Sequence, residues 1–215
     1  NTLAPEIYGH DTVKEGLLLQ LFEGSRPVDD TFKSDTMDRW TSHILLIGDP
    51  GVGKSQLVSA VNKRAPKCIS IAGTNTSQAG LTTSAVKDEL TGTWTMEAGA
   101  VILADTGLLC IDEFDKLTAS AQKSLNEPME QLSVSSAKAG LVQTMTARTS
   151  ILAAANPKYS RFTDNKSIKE QLDIDSLGYI TIDALIEAIG MPKDNLCLGC
   201  INEEYPTELP DDIEA

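Results

Sequence analysis

No stretch of this 215-residue chain approaches the roughly 18 consecutive apolar residues of a membrane-spanning helix. The longest apolar run near the N-terminus, Gly16 to Phe22, is far too short, and no basic stretch precedes an apolar core there, so neither a membrane anchor nor a secretory leader is expected. Aromatic residues are scarce, at 5%. The two tryptophans, Trp40 and Trp94, are expected to pack rather than to form a stacking platform. Cysteine is scarce too: four residues (Cys68, Cys110, Cys197, Cys200) make no disulfide framework, which suits a reducing compartment. The two histidines, His10 and His43, have no metal-ligand spacing. Basic residues are outnumbered, 18 against 31 acidic, for a net charge of −13.

That charge is unevenly placed. Residues 167 to 215 hold 12 acidic and 2 basic side chains, a balance of −10, whereas the 19 acidic and 16 basic residues before them give −3. The acidity belongs to the tail, and the break near residue 167 suggests two segments of different origin. A nearly neutral first segment excludes a strong overall field for nucleic acid but leaves room for a local basic contact.

What is present is an alternation of short apolar runs with helical patterns, which predicts a parallel sheet with crossover helices. His43 to Ile47 reads as a buried strand leading into a glycine-rich loop and a helix from about Lys54 to Val61. Cys68 to Ile71, Leu108 to Ile111 and Thr149 to Ala155 read as three further strands. The polar–apolar alternation from Thr91 to Met96, with Gly92 near its start, predicts a hairpin, and a second hairpin is expected from Leu132 to Thr146, turning at Lys138-Ala139-Gly140. Pro128 interrupts an otherwise helical Ala119–Gln131 stretch. Near the end, Ile182, Leu185, Ile186 and Ile189 fall at helical spacing, with Thr181 as a cap and Gly190 and Pro192 as stops, so a helix is expected there.

Gly48-Asp49-Pro50-Gly51-Val52-Gly53-Lys54-Ser55 fits the phosphate-loop pattern between a strand and a helix, with Gln56 the next residue. Glycines let backbone N–H groups converge on phosphate oxygens at the positive end of the helix. Lys54 is then expected to neutralise the β- and γ-phosphates of a nucleoside triphosphate, ATP, and the Ser55 hydroxyl to ligate Mg2+. Asp112-Glu113 follows directly on the apolar run LLCI. Such a pair also serves as a helix cap, but with the phosphate loop upstream Asp112 is expected to hold magnesium and Glu113 to deprotonate the attacking water. Asn156, at the end of the next strand, is expected to touch the γ-phosphate or that water. Lys138 at a hairpin tip is either a solvated surface lysine or, facing a channel, a phosphate contact for DNA. Asp173 to Ala184 lacks the terminal glutamate of a calcium loop, and Cys197-Leu-Gly-Cys200 offers only two of the four ligands of a closed metal site.

Taken together, Leu3-Ala-Pro-Glu-Ile7-Tyr8-Gly9-His10, Gly48 to Gln56, Cys110-Ile-Asp112-Glu113-Phe114-Asp115-Lys116, Ala137 to Gly140, and Ala147 through Pro157 resemble, in order and spacing, the minichromosome maintenance (MCM) replicative helicases over residues 1 to about 172. The resemblance implies an α/β P-loop NTPase of AAA+ type, a three-layer sandwich, that couples ATP binding and hydrolysis to DNA translocation in a hexameric ring with other MCM-type subunits. It implies that Ile7 and Tyr8 line the adenine pocket, that Lys54, Ser55, Asp112 and Glu113 are the Walker residues, that Asn156 is the first sensor, and that Lys138 grips DNA. The Gly73 to Gly99 region resembles the hairpin that this family inserts in its second helix. Gly53 stands where many members have alanine.

The likeness stops before the Ser-Arg-Phe-Asp segment that supplies the family's arginine finger; Arg161-Phe162 is not that motif. Residues 173 to 215 are read as an acidic tail, of which about 175 to 206 resemble the C-terminus of amidophosphoribosyltransferase, in whose iron–sulfur type such a Cys-x-x-Cys supplies cluster ligands. A sheet lacking its fifth strand is therefore expected, with His43–Ile47 as an exposed edge and a small mixed appendage after it. Alternative readings are a nucleotide-binding module that joins a ring without turnover, and the product of a gene fusion with no function as one chain. The expected location is the cytoplasm, or the nucleus if the source is eukaryotic.

Overall fold

The computed structural model describes residues 3–23, 40–89, 92–158 and the backbone of a strand at 184–189. The first helix, α1 (Asp11–Phe22), precedes β1 (His43–Gly48), which is buried along its whole length and leads through the phosphate loop into α2 (Lys54–Arg64). Then come β2 (Cys68–Ala72), a 3-10 turn at Gly73–Asn75, and α3 (Gln78–Leu81), which Ser77 caps by accepting the Gly80 N–H. The first hairpin is β3 (Thr83–Lys87) with β4 (Trp94–Ala98), followed by the short α4 (Ala100–Leu103). β5 (Leu108–Asp112) runs into a 3-10 turn, Phe114–Lys116. α5 (Ala119–Lys123) and α6 (Asn126–Gln131) follow, then the second hairpin, β6 (Ser133–Lys138) with β7 (Leu141–Thr146), and β8 (Ser150–Ala155). The last described element is β9 (Ala184–Ile189).

The main sheet is parallel, in the order β2-β5-β8-β1-β9. Its strands bury alternate residues on two faces, as continuous apolar runs must when both faces are covered. On one face Leu45, Ile47, Leu109, Ile111, Ile151 and Ala153 pack with residues of α3 to α6 such as Leu81, Val101, Ala121 and Met129. On the other, Ile44, Leu46, Leu108, Cys110, Leu152 and Ala154 pack with Val13 and Leu17 of α1 and with Leu57, Val58 and Val61 of α2. This is the expected three-layer α/β sandwich.

Two expectations about the end of the chain are corrected. Residues 184–189 form a strand rather than part of a helix, paired parallel with β1 from Ile44↔Ala184 to Gly48↔Ile189, with an irregularity between Leu46 and Gly48. The sheet therefore has five strands, and β1 is an inner strand, not an edge. Helical spacing of four isoleucines and leucines is equally a short apolar run, and the unpaired N–H and C=O groups of β1 offer such a run a full ladder. Arg161-Phe162, Asp173 to Ile180 and the Cys197/Cys200 pair lie outside the described residues.

The interrupted helix also differs from a simple kink. α5 ends at Lys123 and α6 begins at Asn126, so the break falls at Ser124 and Leu125, four and three residues before Pro128, which sits in the first turn of α6. That is where a residue without an N–H is tolerated. The second hairpin turns on Ala139 (φ 51°) and Gly140 (φ 79°), two left-handed residues as a tight two-residue turn requires. Trp94, expected to pack, is 48% exposed on the first hairpin. Cys68 and Cys110 are free thiols with Sγ atoms 3.4 Å apart across β2 and β5. The hydrogen bond between the two sulfurs, together with burial, pushes the Cys110 thiol far up, while the same hydrogen bond lowers that of Cys68. No helix among the described residues is long and apolar enough to cross a membrane.

Candidate nucleotide site

The C-terminal ends of β1, β5 and β8 lie side by side, so whatever follows each strand meets at one end of the sheet. This is where open parallel sheets place ligands. After β1 comes the phosphate loop, in which Gly51 (φ 85°) and Gly53 (φ 90°) adopt the left-handed conformation that side chains resist. A Cβ at Gly51 meets nothing within 4 Å, so no other part of the protein packs against that point of the loop. Gly53 is the N-cap of α2, whose first residue is Lys54.

A cleft of about 310 Å³ opens here, lined by Pro50, Gly51, Gly53, Lys54, Ser55, Gln56, Asp112, Glu113, Ala154 and Asn156. Residues up to 106 positions apart in sequence (Pro50 and Asn156) are thus brought to one wall. Lys54 is buried, and its ammonium donates to the carbonyls of Gly48 (2.7 Å) and Asp49 (2.8 Å). Burial lowers its pKa, against the opposing pull of Asp49, Asp112 and Asp115. The Ser55 hydroxyl and the Asp112 carboxylate are hard oxygen donors on the same cleft, the donor type that suits magnesium. Open loop amides, a buried cation and oxygen donors together fit a magnesium-bound phosphate chain.

The acidic turn is tightly made. Asp112 Oδ1 accepts the Glu113 N–H at 2.9 Å, and Glu113 itself is left-handed (φ 54°). Its carbonyl accepts the Lys116 N–H at 2.9 Å. Against that carbonyl lies Gly73, where a Cβ would stand 2.1 Å from Glu113 O. Gly73 has no role in the sequence reading; a lone glycine directly after a strand is the only local signal for it. The same holds for Asp115, which accepts the Asn156 N–H at 3.0 Å and is nearly buried.

Neither residue expected beside the adenine is part of the cleft lining. Ile7 is half-buried, and its Cδ1 lies 3.6 Å from where a Cβ on Gly53 would be. Tyr8 is fully exposed and lines no part of the cleft. Gly48, Asp49 and Val52 belong to the loop but not to the cleft lining, Gly48 and Asp49 serving through their carbonyls. Lys138 is not among the residues that line the cleft. It ends β6 beside the turn, half-buried, and donates to the Thr83 carbonyl at 2.5 Å. The Thr83 hydroxyl in turn donates to Ser136 Oγ at 2.8 Å, so the two hairpins are tied through buried polar groups.

Comparison with known proteins agrees with this architecture. The MCM P-loop domain model matches residues 1–178. The chain is 42% identical over 196 residues to the "Probable DNA helicase MCM8" of Arabidopsis thaliana, covering 91% of this chain and 24% of that protein. It is 45% identical over 173 residues to the "DNA replication licensing factor mcm7" of Xenopus tropicalis, covering 80% and 24%. The "DNA helicase MCM8" of Xenopus tropicalis is 43% identical over 195 residues, covering 91% and 23%. The chain thus spans about a quarter of the length of the curated relatives it matches. With a phosphate loop, an acidic turn and an asparagine converging at one end of its sheet, and with the family match over residues 1–178, the chain belongs to the MCM P-loop domain family.

Proposed function

We propose that this chain is the ATP-binding and hydrolysing part of an MCM-type DNA helicase. The observation that carries the reading is the single cleft shared by Lys54, Ser55, Asp112, Glu113 and Asn156. Loop amides from Gly51 to Ser55 and the Lys54 ammonium bind the phosphate oxygens. Ser55 and Asp112 hold Mg2+, which when bound neutralises phosphate charge. Glu113 takes the proton of the attacking water, and Asn156 orients that water or the γ-phosphate. Ile7 packs beside the loop on the base side. Lys138 contacts the DNA backbone, and partner subunits of the same family complete a hexameric ring. The chain's place is with the chromosome, in the cytoplasm of a prokaryote or the nucleus of a eukaryote.

The test is nucleotide titration and phosphate release, with and without DNA, on wild type, Lys54→Ala and Glu113→Gln. Lys54→Ala is expected to weaken ATP binding at least about tenfold, since a charge-assisted contact to phosphate is worth about 1.5–3 kcal/mol. Glu113→Gln is expected to bind ATP like wild type and to lose turnover by about 10²–10⁴. Wild type that binds but releases no phosphate under any condition points to the alternative, a nucleotide-binding module of a ring. Equal binding by Lys54→Ala and wild type sinks both readings.

A further inference from the structure

We propose that Asp115 is a positioning residue, whose carboxylate fixes the end of β8 against the acidic turn and so holds Asn156 in the nucleotide cleft. The proposal rests on the reading of that cleft given above.

Two ladders frame β8. Its pairing with β5 ends at Ile111↔Ala153, because β5 turns away into Phe114–Lys116. Its pairing with β1 ends at Ile47↔Ala155, because β1 turns into the phosphate loop. Asn156 therefore lies just past both ladders, at the point where Pro157 also rules out regular continuation. Left so, its half-buried N–H lacks a backbone partner and its side chain lacks a fixed direction. Asp115 Oδ1 accepts that N–H at 3.0 Å across 41 positions of sequence.

Asp115 is unusual for a surface-turn carboxylate. Its side chain is only 5% exposed, whereas that of Lys116, whose ammonium lies 3.1 Å from Asp115 Oδ2, is 58% exposed. A pair with an exposed lysine contributes little and does not account for burying a charge. The hydrogen bond from Asn156 does, because carboxylates that accept backbone N–H groups make stronger bonds than neutral acceptors. Asp115 does not line the cleft itself; its charge is felt by Lys54, and its hydrogen bond to a cleft residue is the one from the Asn156 N–H, which fixes the strand end. One short turn thus carries residues of two kinds: Asp112 and Glu113 face the ligand, and Asp115 fastens the neighbouring strand.

The test measures affinity for ADP and for a non-hydrolysable ATP analogue, with Mg2+, in the full chain. Asp115→Ala is expected to bind ADP within about twofold of wild type but to lose preference for the triphosphate by about tenfold, the usual size of an orienting partner's effect. Asp115→Asn, which keeps an acceptor of the same shape, is expected to retain the preference within about threefold. Asp115→Glu keeps the charge but displaces the acceptor by one methylene; it is expected to lose the preference as the alanine does, and it decides the matter should the alanine variant fail to fold. The double variant Asp115→Ala/Asn156→Ala is expected to be no worse than Asn156→Ala alone. Loss of ADP and triphosphate binding together, an unchanged preference in Asp115→Ala, or additive losses in the double variant overturns the proposal. Lys54→Ala is the control: if it binds like wild type, the cleft itself is misread and the proposal falls with it, whereas a normal Lys54→Ala defect with an intact preference in Asp115→Glu overturns the proposal alone.

Discussion

Replacing Gly73 with alanine puts the acidic turn under direct pressure. The added Cβ would stand 2.1 Å from Glu113 O, 3.0 Å from Glu113 C and 3.4 Å from Asp112 O. To reach the 3.4 Å of ordinary contact, the Glu113 carbonyl has to withdraw by about 1.3 Å. It has little freedom to do so, since it also accepts the Lys116 N–H and belongs to a left-handed residue. Overpacking of this kind costs about 1–3 kcal/mol. The loss of backbone freedom in the unfolded chain returns about 0.4–1 kcal/mol. A net cost of up to about 2.6 kcal/mol lowers Tm by up to roughly 10 °C in a chain of this size. The functional cost is larger in proportion, because a displacement of about 1 Å at a reacting group reduces rate by about 10². Gly73→Ala is therefore expected to melt a few degrees early, to bind ATP within about threefold of wild type, and to release phosphate about a hundredfold more slowly. Thermal melts, nucleotide titration and phosphate release on the same preparation separate the three. Unchanged turnover in a folded Gly73→Ala variant would falsify the view that this contact sets the position of Glu113.

Two further predictions concern the scaffold. Asp105 Oδ1 accepts from Arg148 N (2.8 Å) and Nε (3.1 Å), and Oδ2 from Nη2 (2.8 Å), which holds the Asp105 carboxyl below the usual range. A lowered carboxyl pKa stabilises the fold above the unfolded value of about 4, and that contribution disappears as pH falls through the folded value. Arg148→Met is accordingly expected to cost about 1 kcal/mol at pH 7, modest because the pair is partly exposed, and less at pH 3. Urea titrations of both proteins at the two pH values check this, and an equal gap at both refutes it. Thr83→Val removes the donor to buried Ser136 Oγ and is expected to cost about 1–3 kcal/mol. Adding Ser136→Ala should cost less than the two single changes summed, as denaturant melts of the four proteins would show.

The strands of the sheet were legible because buried parallel strands are apolar runs with abrupt ends, and HILLI, CISI, LLCI and SILAAA are such runs. The phosphate loop and Asp112-Glu113 were legible for a related reason: their spacing to the preceding strand is part of the chemistry. The second hairpin announced itself through alternation and glycine, whereas in the first only the stretch at β4 did and β3 (Thr83–Lys87) did not. What local pattern could not decide was the state of residues 184–189, where helix and strand spacing coincide and the waiting edge of β1 settled the outcome. Nor could it find Gly73 or Asp115, whose partners Glu113 and Asn156 are 40 and 41 positions away. The exposure of Tyr8 was not legible either, because a motif carries order along the chain but not the direction of a side chain.

The strand order has a consequence for how this protein reaches its native state. No two neighbours in the main sheet are adjacent in the chain: Cys68 pairs with Leu108, Leu108 with Ser150, and Ile44 with Ala184, while His43 and Ile151 meet across 108 positions. Such non-local pairing slows folding, because long loops must close before any ladder forms. β1 is synthesised about a hundred positions before its partner β8, so the nascent chain carries an unpaired apolar strand over that interval. The phosphate loop, which looks like the most self-contained piece of the sequence, thus hangs from a strand whose partners lie more than a hundred positions away.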